Sequence, residues 1–228
     1  YLTYHATKAE PISPFKQLPT IDASIAPYEV VIENPEACGR YSGILIEGVK
    51  VGPSPAWLKN KLQSIGARSI NNIVDITNFI LHETGQPLHA FDAAKIQGKK
   101  VVVKKCAPNS LFTSLDEKER KLTAEDLMIC DIEKPMCIAG VFGGLHSGVS
   151  ATTNRIFLES AWFENVHIRK TSVHHGLRTD AATRFEKGVD IANAVKVLEK
   201  AAAMIQEIAG GTCSSVVDVY PSPAEKVK

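Results

Sequence analysis

The chain has 228 residues, enough to bury a sizeable core as one large domain or two tightly packed lobes. Hydrophobic residues make up 44% and charged residues 22%, which is too apolar for a disordered chain. Lys and Arg number 26 against 25 Asp and Glu, so the net charge is +1; this excludes a module that coats nucleic acid by charge, though not a small site that handles one RNA end.

Without a starting methionine or a charged-then-apolar leader, the sequence reads as a piece of a longer protein. Its longest weakly polar run, residues 136–145, is about half a membrane span and rich in glycine, so no transmembrane helix is expected. Cys38, Cys106, Cys130, Cys137 and Cys213 are scattered, with no Cys-x-x-Cys pair. That pattern predicts buried free thiols in a reducing cytoplasm rather than disulfides or a zinc site.

Residues 1–37 carry Pro11, Pro14, Pro19 and Pro27 with little periodicity and read as a connecting segment. Residues 41–51, rich in Ile, Leu and Val, predict a strand. Ser54-Pro55 predicts an N-cap followed by a proline at the first helical position, and Gly66 closes a helix carrying Trp57, Leu58 and Leu62. A second helix runs from Asn71 or Asn72 to Gly85. Strands follow at 101–103, 127–130, 136–141 and 156–161, with turn chemistry over 131–135.

Near the end, Ile191, Val195, Leu198, Ala202, Ile205 and Ile208 recur at the spacing of one helical face. Gly210-Gly211 stops that helix, residues 215–220 predict a last strand, and 221–228 form a tail. Strands and helices mix without a regular βαβ rhythm. The expected class is therefore α+β, with a doubly wound parallel sheet as the weaker alternative.

Several segments can carry chemistry. Gly140-Val141-Phe142-Gly143-Gly144 follows an apolar strand but lacks the phosphate-loop and dinucleotide patterns, so a tight turn or a thin wall beside a flat ligand remain as readings. Asp75, Thr77, Asn78, Gln86, His89 and Asp92 are threaded through apolar neighbours, a costly arrangement unless they bond one another or a ligand. Glu159 stands inside an apolar strand, where an ion pair and a functional role weigh equally. His174-His175 has no carboxylate or cysteine at metal-ligand spacing, and no nucleophile elbow is present.

These segments, taken in order, resemble one family closely. Gly39-Arg40-Tyr41, Ser54-Pro55-Ala56-Trp57-Leu58, Gly66 to Asn72 and Val74-Asp75-Ile76-Thr77-Asn78 are followed by Gly85 to Asp92, Ala139 to Gly144, Leu158-Glu159-Ser160-Ala161 and Gly176 to Ala181. The series is similar to the beta subunit of bacterial phenylalanyl-tRNA synthetase, and the match covers about Cys38 to Gly211. Phe142, Ala182 and Phe79 stand where methionine, serine and tyrosine are common in that family, none of them at a transferred pocket position.

The resemblance implies an editing domain over 38–220 that hydrolyses tyrosine wrongly esterified to tRNA(Phe), in a cytoplasmic enzyme that ligates phenylalanine to its tRNA. It implies catalytic roles for His89 and Asn78, and substrate contacts from Glu159, Arg68, Thr77, Gly143, Thr179 and Ala181, with no metal. The aminoacyl 3′ end of tRNA and an alpha subunit are the implied partners, with no membrane. ATP and Mg2+ are implied for the full synthetase, and no cofactor for this region. A non-catalytic RNA-docking or subunit-contact domain and a free-standing aminoacyl-tRNA deacylase are the alternatives.

Overall fold

The computed structural model describes Phe15 and residues 17–222. Pro11, Pro14 and the rest of 1–14, residue 16, and 223–228 of the expected tail lie outside the described residues. In chain order the elements begin with β1 (Glu29–Ile32), β2 (Cys38–Glu47), α1 (Ala56–Ser64), α2 (Asn72–Thr84) and β3 (Leu88–Asp92). Then come β4 (Lys100–Lys105), β5 (Leu111–Thr113), β6 (Glu119–Lys121), β7 (Leu127–Cys130), β8 (Pro135–Ile138), β9 (Phe142–Gly143) and β10 (Arg155–Phe163). The chain continues through α3 (Asn165–His175), α4 (Asp180–Lys187), α5 (Ala194–Ala209), β11 (Thr212–Cys213) and β12 (Val217–Val219).

The α+β expectation holds, with mixed sheets and packed helices. One sheet has the order β11-β2-β10-β3, antiparallel throughout, with β12 also pairing β2. The other has the order β1-β4-β7-β8-β9, in which β1 and β4 run parallel. β1 falls within the expected connecting segment, and its ladder with β4 makes it the edge of this sheet.

The side-chain alternation of β2 and β10 explains the layering. Tyr41, Leu45, Phe91, Phe157 and Ala161 leave the first sheet on one face and share a core with Val101, Val103, Ile129 and Ile138 of the second. Ile44, Ile46, Ile156 and Leu158 leave on the opposite face and pack under Leu58 and Leu62 of α1, Ile76 and Ile80 of α2, and Val197, Leu198 and Ile205 of α5. The first sheet is thus buried on both faces, and each large aliphatic or aromatic side chain it hides contributes about 1.5–3 kcal/mol.

Local signals hold for most of the helices. Asn71 caps α2 by accepting from the Val74 amide, and Gly85 ends it in the left-handed region. At α1 the expectation shifts by one residue: Pro55 is the N-cap, and no side chain caps the helix. The Ser54 hydroxyl instead donates to Asp75, which also accepts from the Ser69 hydroxyl and the Ile70 amide. Trp57, grouped with the apolar residues of that helix, is 47% exposed. The last helix begins at Ala194, with Ile191–Asn193 as a single 3-10 turn before it.

Candidate functional site

Glu159 of β10 stands directly opposite His89 of β3. In an antiparallel pair such partners share one face, so both side chains leave the first sheet toward the second. There Cys137 of β8 pairs with Gly143 of β9. Gly143 lies under the imidazole: a Cβ built on it would meet His89 Cε1 at 3.3 Å. Both cross-strand pairs line a cavity of about 460 Å³.

The remaining walls come from α2 and α4. Thr77 and Asn78 line the cavity from α2, and Thr179 and Ala181 from the start of α4. Thr179 is the N-cap: its hydroxyl accepts from the Ala182 amide and donates to the Val141 carbonyl, which ties α4 to the turn after β8. That turn depends on Gly140, whose φ of 67° favours glycine and whose absent Cβ would press on Ile168, Phe163 and Phe185.

Two side chains have unusual electrostatics. Burial drives the His89 pKa down to about 4, so its imidazole is neutral at pH 7. Its Nε2 is buried and lacks a hydrogen-bond partner among the described residues. The ring packs edge-on against Phe91 at a centroid distance of 4.4 Å. Burial pushes the Glu159 carboxyl up to about 8, opposed by a hydrogen bond from the Tyr41 hydroxyl. That hydroxyl donates to Glu159 Oε2 at 2.8 Å.

The Glu159 carboxyl is therefore a neutral acid at pH 7, because no cation among the described residues offsets its burial. An ion pair for Glu159, the alternative left open by the sequence, is absent among the described residues. Cys137 and Cys38 both feel Glu159, and burial first, then that carboxyl, raises both thiols well above their ordinary range.

Seven of the sequence-derived positions line the cavity together: Thr77, Asn78, His89, Gly143, Glu159, Thr179 and Ala181. Arg68 lies exposed in the connection between α1 and α2 and is not part of the wall, though Ile70, two residues on, is. Other polar residues of the same stretch are structural. Asp75 ties the α1–α2 connection, Gln86 donates to the Ala161 carbonyl, and Asp92 accepts from the Thr153 hydroxyl. His175 bonds Asp126 through Nε2 at 2.8 Å. Among the described residues no group of His, Cys, Asp and Glu is arranged for a metal ion.

Tyr41 enters the sequence only within the Gly39-Arg40-Tyr41 segment and Cys137 only as one of five scattered cysteines, neither with a place in the pocket. Cross-strand register brings Tyr41 to Glu159, and the packing of one sheet on the other brings Cys137 to it.

Residues 37–210 match the family model described as the B3/4 domain. The chain belongs to this family. Among its curated relatives is the phenylalanine–tRNA ligase beta subunit of Bacteroides thetaiotaomicron, 55% identical over 83% of this chain and 23% of the relative. That of Porphyromonas gingivalis is 52% identical over 97% of this chain and 27% of the relative. The chain spans about a quarter of the length of these beta subunits. An N-terminal fragment of the phenylalanyl-tRNA synthetase beta subunit from Pyrococcus horikoshii has the same fold, with a TM-score of 0.57 at 12% identity, over 89% of this chain and 57% of that one. The expected resemblance to bacterial phenylalanine–tRNA ligase beta subunits is borne out by these matches, and the B3/4 region carries the cavity.

Proposed function

We propose that this B3/4 chain is the editing module of a phenylalanyl-tRNA synthetase and hydrolyses tyrosine esterified to the 3′ end of tRNA(Phe). The observation that carries the reading is the pairing of His89 with Glu159 on one face of a sheet, over a wall thinned at Gly143.

Selectivity has a physical reason. A synthetic pocket built for phenylalanine rejects an analogue that only adds a hydroxyl by about 100-fold. Tyrosine is the larger amino acid, so a second sieve has to demand the hydroxyl rather than exclude size. Glu159, buried and with one oxygen free of donors among the described residues, makes that demand. A phenylalanine ring leaves the carboxyl unpaired, at a cost of about 1–3 kcal/mol.

In the hydrolysis, a water attacks the ester carbonyl carbon and the bond to the ribose oxygen breaks. The proton lost by water reaches that leaving oxygen. Neutral His89, on the cavity wall, positions the water and takes up its proton, while the Asn78 amide on the neighbouring wall steadies the water or the developing oxyanion. Thr77, Thr179 and Ala181 shape the ring's walls, whereas Arg68 stands outside the cavity and is given no part in the chemistry. On this reading ATP and Mg2+ serve the synthetic reaction elsewhere in the synthetase, the alpha subunit is the partner chain, and the enzyme is cytoplasmic.

The test is deacylation of tyrosyl- and phenylalanyl-tRNA(Phe) by the full synthetase, compared as ratios of kcat/KM. Glu159→Ala is expected to collapse the preference for tyrosine more than it slows hydrolysis. His89→Ala is expected to lower turnover by about 100-fold and keep the preference. An intact tyrosine preference in Glu159→Ala would sink the assignment.

A further inference from the structure

The free carboxyl oxygen of Glu159 is held in place from behind. Glu159 lines the cavity, whereas Tyr41 lies fully buried beneath it on β2 and does not reach the cavity. Tyr41 pairs with Ala161 and Gly43 with Glu159, so the phenol reaches along the face by one side-chain position to donate to Oε2. Among the described residues Glu159 has no other hydrogen-bond donor, and Oε1 is the oxygen left for a ligand.

We propose that Tyr41 is a positioning residue for hydroxyl recognition: by occupying Oε2 it fixes the Glu159 carboxyl so that Oε1 alone faces a ligand's phenolic hydroxyl. The inference rests on the editing reading above and deepens it.

The protonation of the pair follows from this geometry. With Oε2 accepting from Tyr41, the proton of the neutral acid sits on Oε1 and is donated to the phenolic oxygen of the ligand. Above about pH 8 Oε1 accepts instead, in a charge-assisted bond, and a ligand without a hydroxyl is penalised more heavily. The groups that face the carboxyl are Tyr41 and Cys38 from β2 and Cys137 from β8, with His89 beside it from β3. Asp180, at the start of α4, has a side chain 76% exposed and 3.9 Å from His82. Cys38, Cys137 and Tyr41 are raised well above their ordinary range and His89 is lowered, so none of these four changes charge near pH 8.

The experiment compares the full synthetase with Tyr41→Phe, Glu159→Ala and the double variant, on tyrosyl and phenylalanyl esters from pH 6 to about pH 9. In the unsubstituted enzyme the tyrosine preference is expected to rise as pH passes upward through about 8. In Tyr41→Phe the preference is expected to fall about tenfold, the worth of one hydrogen bond, through a higher KM for the tyrosyl ester rather than a lower kcat. Losing the Tyr41 donor removes what lowers the Glu159 pKa, so the rise is expected to move to higher pH. In the Glu159→Ala background, adding Tyr41→Phe is expected to change the ratio by less than about twofold, because the phenol acts only through the carboxyl.

A general loss of packing is separated by that last comparison, since it would lower both backgrounds alike. If Glu159→Ala collapses the preference while Tyr41→Phe keeps both the ratio and its pH profile, the role of Tyr41 is overturned and the editing reading stands. If Glu159→Ala leaves the preference untouched, both fall.

Discussion

His89 and Glu159 are register partners on adjacent antiparallel strands, yet their functional ends turn apart, one over Gly143 and the other onto Tyr41. Common origin on one sheet face fixes their spacing, because a one-residue slip of the paired strands would move every side chain to the other face. Their opposite surroundings then set opposite roles. Burial keeps both neutral at pH 7, the base without its proton and the acid with it.

The Glu159 pKa is about 8 in the folded chain against an ordinary 4.5, so between those values the unfolded chain gives up a proton that the folded chain keeps. Its contribution to stability is fully present below about pH 4.5 and is lost as pH rises to about 8. Glu159→Gln, which cannot ionise, is expected to gain stability relative to the parent as pH rises through that window. Urea midpoints at several pH values between 5 and 8 measure it; a constant difference would contradict the raised pKa.

Hydrolysis is expected to show no inflection near pH 6.5. With the His89 pKa lowered to about 4, the neutral imidazole is present throughout pH 5–7, and its activity disappears only as pH falls through about 4. The pH profile of kcat/KM for the tyrosyl ester reads this out. A sigmoid centred near the ordinary histidine value would show that the imidazole is not desolvated.

Gly143→Ala probes the wall. The new methyl would lie 3.3 Å from His89 Cε1, which forces the ring to shift by a few tenths of an ångström. Tyrosyl-ester turnover is expected to drop several-fold, to about tenfold, from misplacement of the water alone. The preference for tyrosine over phenylalanine should persist, because the new methyl would meet His89 and not Glu159. Loss of preference with unchanged turnover would be the opposite result.

Thr179→Ala removes the N-cap of α4 and the bond to the Val141 carbonyl. A destabilisation of about 1 kcal/mol or somewhat more is expected in denaturant unfolding. Thr179→Ser keeps both hydrogen bonds and should recover most of it; equal losses in the two variants would point to the methyl group instead.

Strands and helices with local signals are legible along the chain. Asn71 and Gly85 bracket α2, the three-and-four spacing from Val195 to Ile205 marks α5, and the apolar runs of β2 and β10 mark central strands. Segment motifs also carried the family and named seven residues that line one cavity. Short strands such as β1, β5 and β6 escaped, because their signal is a pairing partner far along the chain rather than a pattern within it. Asp75 and Asp92 read from the sequence much like His89, and only contacts separate them: the first two are satisfied by Ser54, Ser69 and Thr153, whereas His89 Nε2 is not. The tertiary structure alone decided that Tyr41, 118 residues from Glu159 along the chain, grips its carboxyl, and that the acid is neutral. Burial and cross-strand register set hydrogen-bond partners and proton affinity, and both are properties of what surrounds a residue in space, which its neighbours in sequence do not specify.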